Sequence, residues 1–294
     1  MADWLEQSAE RVLLADGATG TELQARGLPP GECPERWARE HPLELAAVHA
    51  AYAAAGAELI LTCTFGGSPL KLASAGLDGQ TEAVNWALAR IAREAVPGAI
   101  LLGDIGPTGE MIAPLGTRTA DELRAGFVRQ VTGLADVVDG FIVETMSDLD
   151  EALLALEAAR EVAPRKPILV SLTYTKDHDG KDYHTVMGVS PTAAAKRIED
   201  AGADAIGTNC GSGIEDMIGV VERLAAACSR PVFAEPNAGL PKLVGGNTVF
   251  DESAESMAGK IGRLVDAGAR IVGGCCGTTP GHITAFRAAL NEAE

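Results

Sequence analysis

The chain has 294 residues, 47% of them hydrophobic and 22% charged, with 34 glycines and a formal charge of −17. That length suits two average domains or one barrel, and the composition excludes a disordered or fibrous chain. With no Lys/Arg cluster and no apolar run of the ~18 residues a membrane span needs, neither nucleic acid nor a bilayer is expected as a partner.

Short apolar runs alternate with longer amphipathic stretches in chain order. The first run, residues 12–15, ends at Asp16. A helix over 43–55 begins after Pro42, stops at Gly56 and leads into the run 59–63. A helix over 82–95 precedes the run 100–105. The next helix, 119–136, opens with Thr119 and Glu122 at capping-box spacing and precedes the run 140–144. A helix over 148–161, a run over 168–174 and a polar loop or hairpin tip at 177–181 follow. The rest is a helix at 191–201, a run at 205–209, a helix at 214–227 and a run at 232–235. An ordered loop at 240–246, a helix at 252–267, a run at 271–274 and a helix at 280–291 complete the chain.

The eight runs are rich in Val, Ile and Leu without strict alternation, the pattern of strands buried on both faces of a parallel sheet. Three helices end in Ala-Gly-Ala, at 55–57, 201–203 and 267–269, where glycine at C′ closes the helix with a positive φ. Eight strands alternating with about eight helices predict a single (β/α)8 TIM barrel over residues 1–294. The rival is a doubly wound open sheet. Its glycine fingerprint is missing, since Asp16-Gly17-Ala18-Thr19-Gly20 is not G-x-G-x-x-G.

Polar residues fall at the C-terminal ends of these runs, the face that carries barrel active sites. They are Asp16, Thr62, Cys63, Thr64, Asp104, Glu144, Asn209, Cys210, Glu235, Asn237, Cys275 and Cys276. The N-terminus has early acids and no basic-then-apolar order, so no signal peptide is expected and the compartment reads as cytoplasmic. The six cysteines are then thiols or metal ligands. Cys275 and Cys276 lie in a glycine-flanked turn, where both sulfurs can swing toward one point, and Cys210 sits at the same barrel end. Three thiolates suit Zn²⁺, and three ligands with an open position mark a catalytic rather than a structural site. A vicinal disulfide, or two ordinary buried residues, are the alternatives that spacing leaves open. Cys63 and Cys228 read as core residues and Cys33 as a loop residue. His178 and His184 read as solvated loop residues, and His41, His49 and His282 as structural.

Six motifs in order resemble the homocysteine S-methyltransferase family: Asp16–Leu23 (DGATGTEL), Gly103–Gly109 (GDIGPTG), Glu144-Thr145, Asn209-Cys210, Glu235–Gly239 (EPNAG) and Gly273–Thr278 (GGCCGT). The likeness is closest to the homocysteine-binding module of cobalamin-dependent methionine synthases and runs from about residue 11 to residue 288. It implies a (β/α)8 barrel with zinc held by Cys210, Cys275 and Cys276. It also implies that Asp16 and Glu144 receive the homocysteine amino group, and that backbone N–H groups of Gly17, Ala18 and Thr19 hold its carboxylate. Asn237 is implied at the metal's open position before substrate arrives. Asp104 reads as a structural or substrate-side acid.

The resemblance leaves several methyl donors: methylcobalamin, betaine, or S-methylmethionine and related sulfoniums. Betaine-type members cage the quaternary ammonium with aromatics. Only 4% of residues here are aromatic, and Thr145 follows Glu144 where such a member places tyrosine. The Asp-Ile-Gly-Pro-Thr-Gly phrase favours the methionine-synthase type. No cobalamin or folate domain is seen in the chain, so the expected donor is methylcobalamin on a separate corrinoid protein or domain, docking near a rim that includes Trp37. A non-catalytic zinc or thiol-binding protein is the alternative from another class. A zinc hydrolase is disfavoured, because three sulfur donors make zinc a weak Lewis acid.

Overall fold

Ala15 bridges in parallel to Leu59, and the Glu58 N–H donates to the Leu14 carbonyl at 2.7 Å. These contacts join the first and last strands of an eight-stranded parallel sheet and close it into a barrel. The structure, a computed structural model, describes residues 3–245 and 247–293. The strands are β1 (Leu13–Leu14), β2 (Leu59–Leu61), β3 (Ile100–Ile105), β4 (Gly140–Met146), β5 (Ile168–Leu172), β6 (Ala205–Gly213), β7 (Val232–Asn237) and β8 (Ala269–Val272). Around the barrel they run β1-β8-β7-β6-β5-β4-β3-β2. The expected (β/α)8 architecture holds, and the open-sheet rival fails on the closure.

Two apolar layers explain the strand composition. Leu13, Ala15, Leu59, Leu61, Leu102, Ile142, Leu169, Ala205, Phe233 and Ile271 fill the barrel interior. Alternate residues such as Leu14, Ile60, Leu101, Val143, Val170 and Ile206 pack against the surrounding helices. A short helix, Asp3–Gln7, was not legible in the sequence. It brings Trp4 and Leu5 into the interior cluster, beside Gly140 at the start of β4.

The helices follow the expected signals. Thr119 and Glu122 form a complete capping box on the helix Ala120–Leu134. Gly56, Gly202 and Gly268 all have positive φ (103°, 89° and 118°) at their helix ends. The polar stretch after β5 is a hairpin, Thr175–Lys176 against Tyr183–His184. The loop after β7 is also a hairpin, Lys242–Val244 against Asn247–Val249. Trp37 departs from its expected place on the rim. It is 7% exposed, because the helix Pro34–Glu40 turns it into the core and stacks it on His41 at 4.2 Å. Among the described residues no helix is long and apolar enough to cross a membrane.

Two strands break register at their C-terminal ends. Three steps on β4 (Val143 to Met146) oppose two on β5 (Val170 to Leu172). Four steps on β6 (Asn209 to Gly213) oppose two on β7 (Glu235 to Asn237). Such bulges re-aim side chains beside functional sites. Among the described residues they also carry the two non-glycine residues with positive φ, Thr145 (56°) and Cys210 (58°).

Candidate active site

One pleat above the apolar interior, the inward positions become polar. Two residues beyond Leu102, Ile142, Leu169 and Phe233 stand Asp104, Glu144, Ser171 and Glu235, and two beyond Ile271 stands Gly273. A side-chain period of two on every strand puts these residues in one ring at the barrel mouth.

The cysteines converge on the same mouth. The ligand atoms of Cys210, Cys275 and Cys276 all lie within 4.8 Å of one another. Cys210 Sγ and Cys276 Sγ are 3.9 Å apart. Zn–S bonds of about 2.3 Å in a tetrahedron place sulfurs about 3.8 Å apart, so the trio fits a thiophilic divalent ion. All three are free thiols, and the vicinal disulfide is not formed. Contacts from the Cys275 and Cys276 thiols hold Cys210 down to about 3. The Cys210 sulfur in turn pushes Cys276 up to about 12 and raises Cys275 well above the usual thiol range. The cluster thus carries one negative charge easily and resists more until a cation arrives.

Backbone contacts hold the double-cysteine turn. The Gly274 N–H donates to the Asp16 carbonyl at 2.9 Å and the Cys275 N–H to the Pro236 carbonyl at 2.9 Å. The Ala238 N–H donates to the Cys276 carbonyl at 3.0 Å. The glycines before it serve close approach rather than an unusual φ. A Cβ on Gly273 would lie 2.8 Å from the Asp16 carbonyl, and one on Gly274 would lie 2.7 Å from Thr278 Cβ.

Four acids are buried at the mouth: Asp16, Asp104, Glu144 and Glu235 are 1%, 6%, 8% and 2% exposed. Desolvation is the leading cause raising each carboxyl, reinforced by their mutual repulsion for Asp16, Asp104 and Glu235. Glu144 is pushed up to about 8 by burial and then by the Cys210 charge. Asp16 Oδ2 accepts from the Leu61 N–H at 3.1 Å. Asp104 Oδ1, Glu235 Oε1 and Asn237 Oδ1 are buried without a hydrogen-bond partner. A buried acid cluster of this kind is suited to an ammonium group, whose charge offsets the repulsion.

The structure brings together the sequence-predicted residues Asp16, Glu144, Asn237, Cys210, Cys275 and Cys276. Asn237 lies in β7, and its side chain is a minor contributor to holding the Cys210 thiol low. Gly17, Ala18 and Thr19 form the turn that leads from β1 into the helix Thr19–Ala25. The Ala18 N–H already donates to Thr278 Oγ1 at 3.2 Å. His184 pairs with Asp177 in the hairpin after β5. His282 caps its own turn through Thr279, and His49 is fully buried. Cys63 is buried, while Cys228 is only half-buried and donates to the Leu224 carbonyl. Sequence reading missed the roles of Ser171 and of the Asn209 side chain. A lone serine inside the apolar β5 run, two residues beyond Leu169, was the available signal.

Residues 13–290 match the family profile described as Homocysteine S-methyltransferase. Two curated relatives named methionine synthase, from Mycobacterium tuberculosis and Mycobacterium leprae, are 31% and 32% identical over 98% of this chain. The chain spans about a quarter of their length, 25% in each case. Among solved structures, the metallated form of the homocysteine methyltransferase MmuM from Escherichia coli matches with a TM-score of 0.79 and 25% identity over 98% of both chains. Its oxidized form matches with a TM-score of 0.77 and 26% identity. The carboxyl transferase domain of Rhizobium etli pyruvate carboxylase shares the fold, with a TM-score of 0.56 and 18% identity.

Proposed function

The chain belongs to the homocysteine S-methyltransferase family, and from that premise we propose that it moves a methyl group to the thiol of homocysteine, giving methionine, with zinc at the cysteine trio and a methylcorrinoid such as methylcobalamin, carried by a separate protein or domain, as donor. The observation that carries this reading is the convergence of Cys210, Cys275 and Cys276 within 4.8 Å beside a ring of buried carboxyls. One half suits a sulfur nucleophile and the other suits an ammonium. Homocysteine carries both.

Cys210, Cys275 and Cys276 would hold the zinc, which would supply the positive charge that lowers the substrate thiol's pKa while leaving its sulfur electron-rich. The chain's own residues do the rest. Asp16 and Glu144 receive the ammonium, and backbone N–H groups of the Gly17–Ala18–Thr19 turn receive the carboxylate, that of Ala18 by giving up its bond to Thr278 Oγ1. The Asn237 carboxamide, with Oδ1 unpartnered, stands beside Cys210 and gives way to the incoming thiol. The homocysteine sulfur forms its bond to the methyl carbon as the bond to the donor breaks, the electron pair leaving with the donor, and methionine is released. No side chain is needed as a general base beyond the cluster.

A small sulfonium donor such as S-methylmethionine is the second reading, since the sulfur trio and the buried carboxyls act on homocysteine and leave the donor open. Betaine fits less well, since Thr145 offers no aromatic face after Glu144. Incubating zinc-loaded protein and homocysteine with free methylcobalamin, S-methylmethionine or betaine in turn, and assaying methionine, separates the three. Methionine from the first supports the corrinoid reading, and methionine from the second replaces it with the sulfonium. Stoichiometric zinc with no methionine from any donor points to a non-catalytic zinc or thiol-binding protein.

A further inference from the structure

The carboxamide of Asn209 spans the barrel mouth from β6, across β5, to β4. Its Nδ2 donates to Glu144 Oε2 at 2.6 Å and to Thr145 Oγ1 at 2.8 Å, and reaches Cys275 Sγ at 3.8 Å. Its Oδ1 accepts from the Thr145 N–H at 2.8 Å and from the Ser171 hydroxyl at 2.7 Å. The backbone N–H of Thr145 can only donate, so the oxygen must face it and the nitrogen must face the carboxylate. Asn209 is fully buried, and its carbonyl accepts from Thr173 Oγ1 at 2.9 Å. The next residue is Cys210.

Both bulges of the mouth therefore end on this one residue. Thr145 and Cys210, held at φ of 56° and 58°, cost conformational energy that persists only where surrounding contacts over-determine the backbone. Asn209 supplies those contacts to Thr145 by a two-point clamp, and it anchors Cys210 through its own carbonyl. An aspartate has the same shape but no donor for Glu144. Alanine has neither group.

We propose that Asn209 is a positioning residue that locks the Glu144 carboxylate to the Cys210 turn, so that the amino-group acceptor and the sulfur site keep a fixed separation matched to an α-amino thiol. This rests on the reading of Glu144 as acceptor of the homocysteine ammonium. Asn209 touches neither end of the substrate in that reading. It sets where Glu144 stands relative to the thiol.

The test compares two thiols, homocysteine and its desamino analogue 4-mercaptobutanoate, by isothermal titration calorimetry on zinc-loaded protein. Zinc content is measured in parallel by atomic absorption. Wild-type protein is expected to prefer homocysteine. Asn209→Asp is expected to retain its zinc and to weaken homocysteine about tenfold or more, the scale of one charge-assisted hydrogen bond, while changing the desamino thiol less than about threefold. Ser171→Ala removes one of the two donors to Oδ1 and is expected to shift the same ratio about two- to fivefold. It decides the matter if Asn209→Asp does not fold. Equal binding of both thiols by wild type would remove Glu144 as ammonium acceptor, and the proposal with it. A wild-type preference that survives undiminished in the folded variants would overturn the role of Asn209 alone. Zinc loss, or equal weakening of both thiols, would likewise reduce Asn209 to a scaffold residue.

Discussion

Tyr52 Oη lies 3.1 Å from the carbonyl oxygen of Thr278 and 3.2 Å from that of Ala18. One buried phenol thus ties the loop after β1, which faces the substrate carboxylate in the proposed reading, to the loop after β8, which carries two of the three sulfurs. Burial raises the phenol's pKa, so it stays a neutral donor at any working pH.

Tyr52→Phe removes the bridge and takes the phenol donor from the Thr278 carbonyl, while the Ala18 carbonyl keeps the Glu22 N–H at 3.3 Å. The expected cost is about 1 kcal/mol of stability in urea denaturation, with homocysteine binding weakened several-fold. A variant with unchanged stability and unchanged binding would show that the two loops hold their places independently.

Cys276→Ala leaves two sulfurs at the mouth, and a two-ligand site holds zinc poorly. Atomic absorption after gel filtration is expected to fall from near one equivalent to a small fraction. Because Cys275 and Cys276 hold their protons in the metal-free protein, zinc uptake by the wild type at pH 7 is expected to release about two protons. Calorimetry in buffers of different ionisation enthalpy measures that number. Affinity should rise with pH, since the ligand must first lose its proton. Full zinc occupancy in the alanine variant would remove Cys276 from the ligand set.

Gly274→Ala puts a methyl group 2.7 Å from Thr278 Cβ. Overpacking of this kind costs about 1–3 kcal/mol, and here it displaces the turn that presents Cys275. The variant is expected to melt lower and to bind zinc more weakly than Gly262→Ala, a position where a Cβ meets nothing within 4 Å. Equal behaviour of the two variants would show that the turn has slack.

His49 is fully buried in the helix Pro42–Ala54, both ring nitrogens lack a hydrogen-bond partner, and burial lowers its pKa from 6.5 to about 4. Between those values the unfolded chain binds the proton and the folded chain does not. Stability from this residue is therefore intact above pH 6.5 and falls as the pH drops toward 4. The full loss is about 3 kcal/mol. His49→Leu is expected to be near neutral at pH 7 and to shed that acid loss in urea titrations from pH 7 to 4. Parallel profiles for variant and wild type would mean that His49 is not held neutral.

Local patterns in the chain determined much by themselves. Strand runs without alternation, helices closed by Ala-Gly-Ala and the Thr119 capping box placed eight βα units within a few residues of their observed bounds, because hydrophobic period and cap chemistry act over one or two turns of chain. Strand-end position also singled out Asp16, Glu144, Asn237 and the three cysteines. Tertiary structure alone decided the rest. The bulges at Thr145 and Cys210 appear only when β4 and β6 are registered against their neighbours. The Asn209 clamp joins residues 64 and 65 positions apart in sequence. The need for glycine at 273 and 274 comes from atoms of Asp16 and Thr278. Trp37 left its expected rim because a short helix, unread in the sequence, turned it inward. Each of these depends on which surfaces meet across the barrel, and that information is spread over the whole chain rather than held in any one window of it.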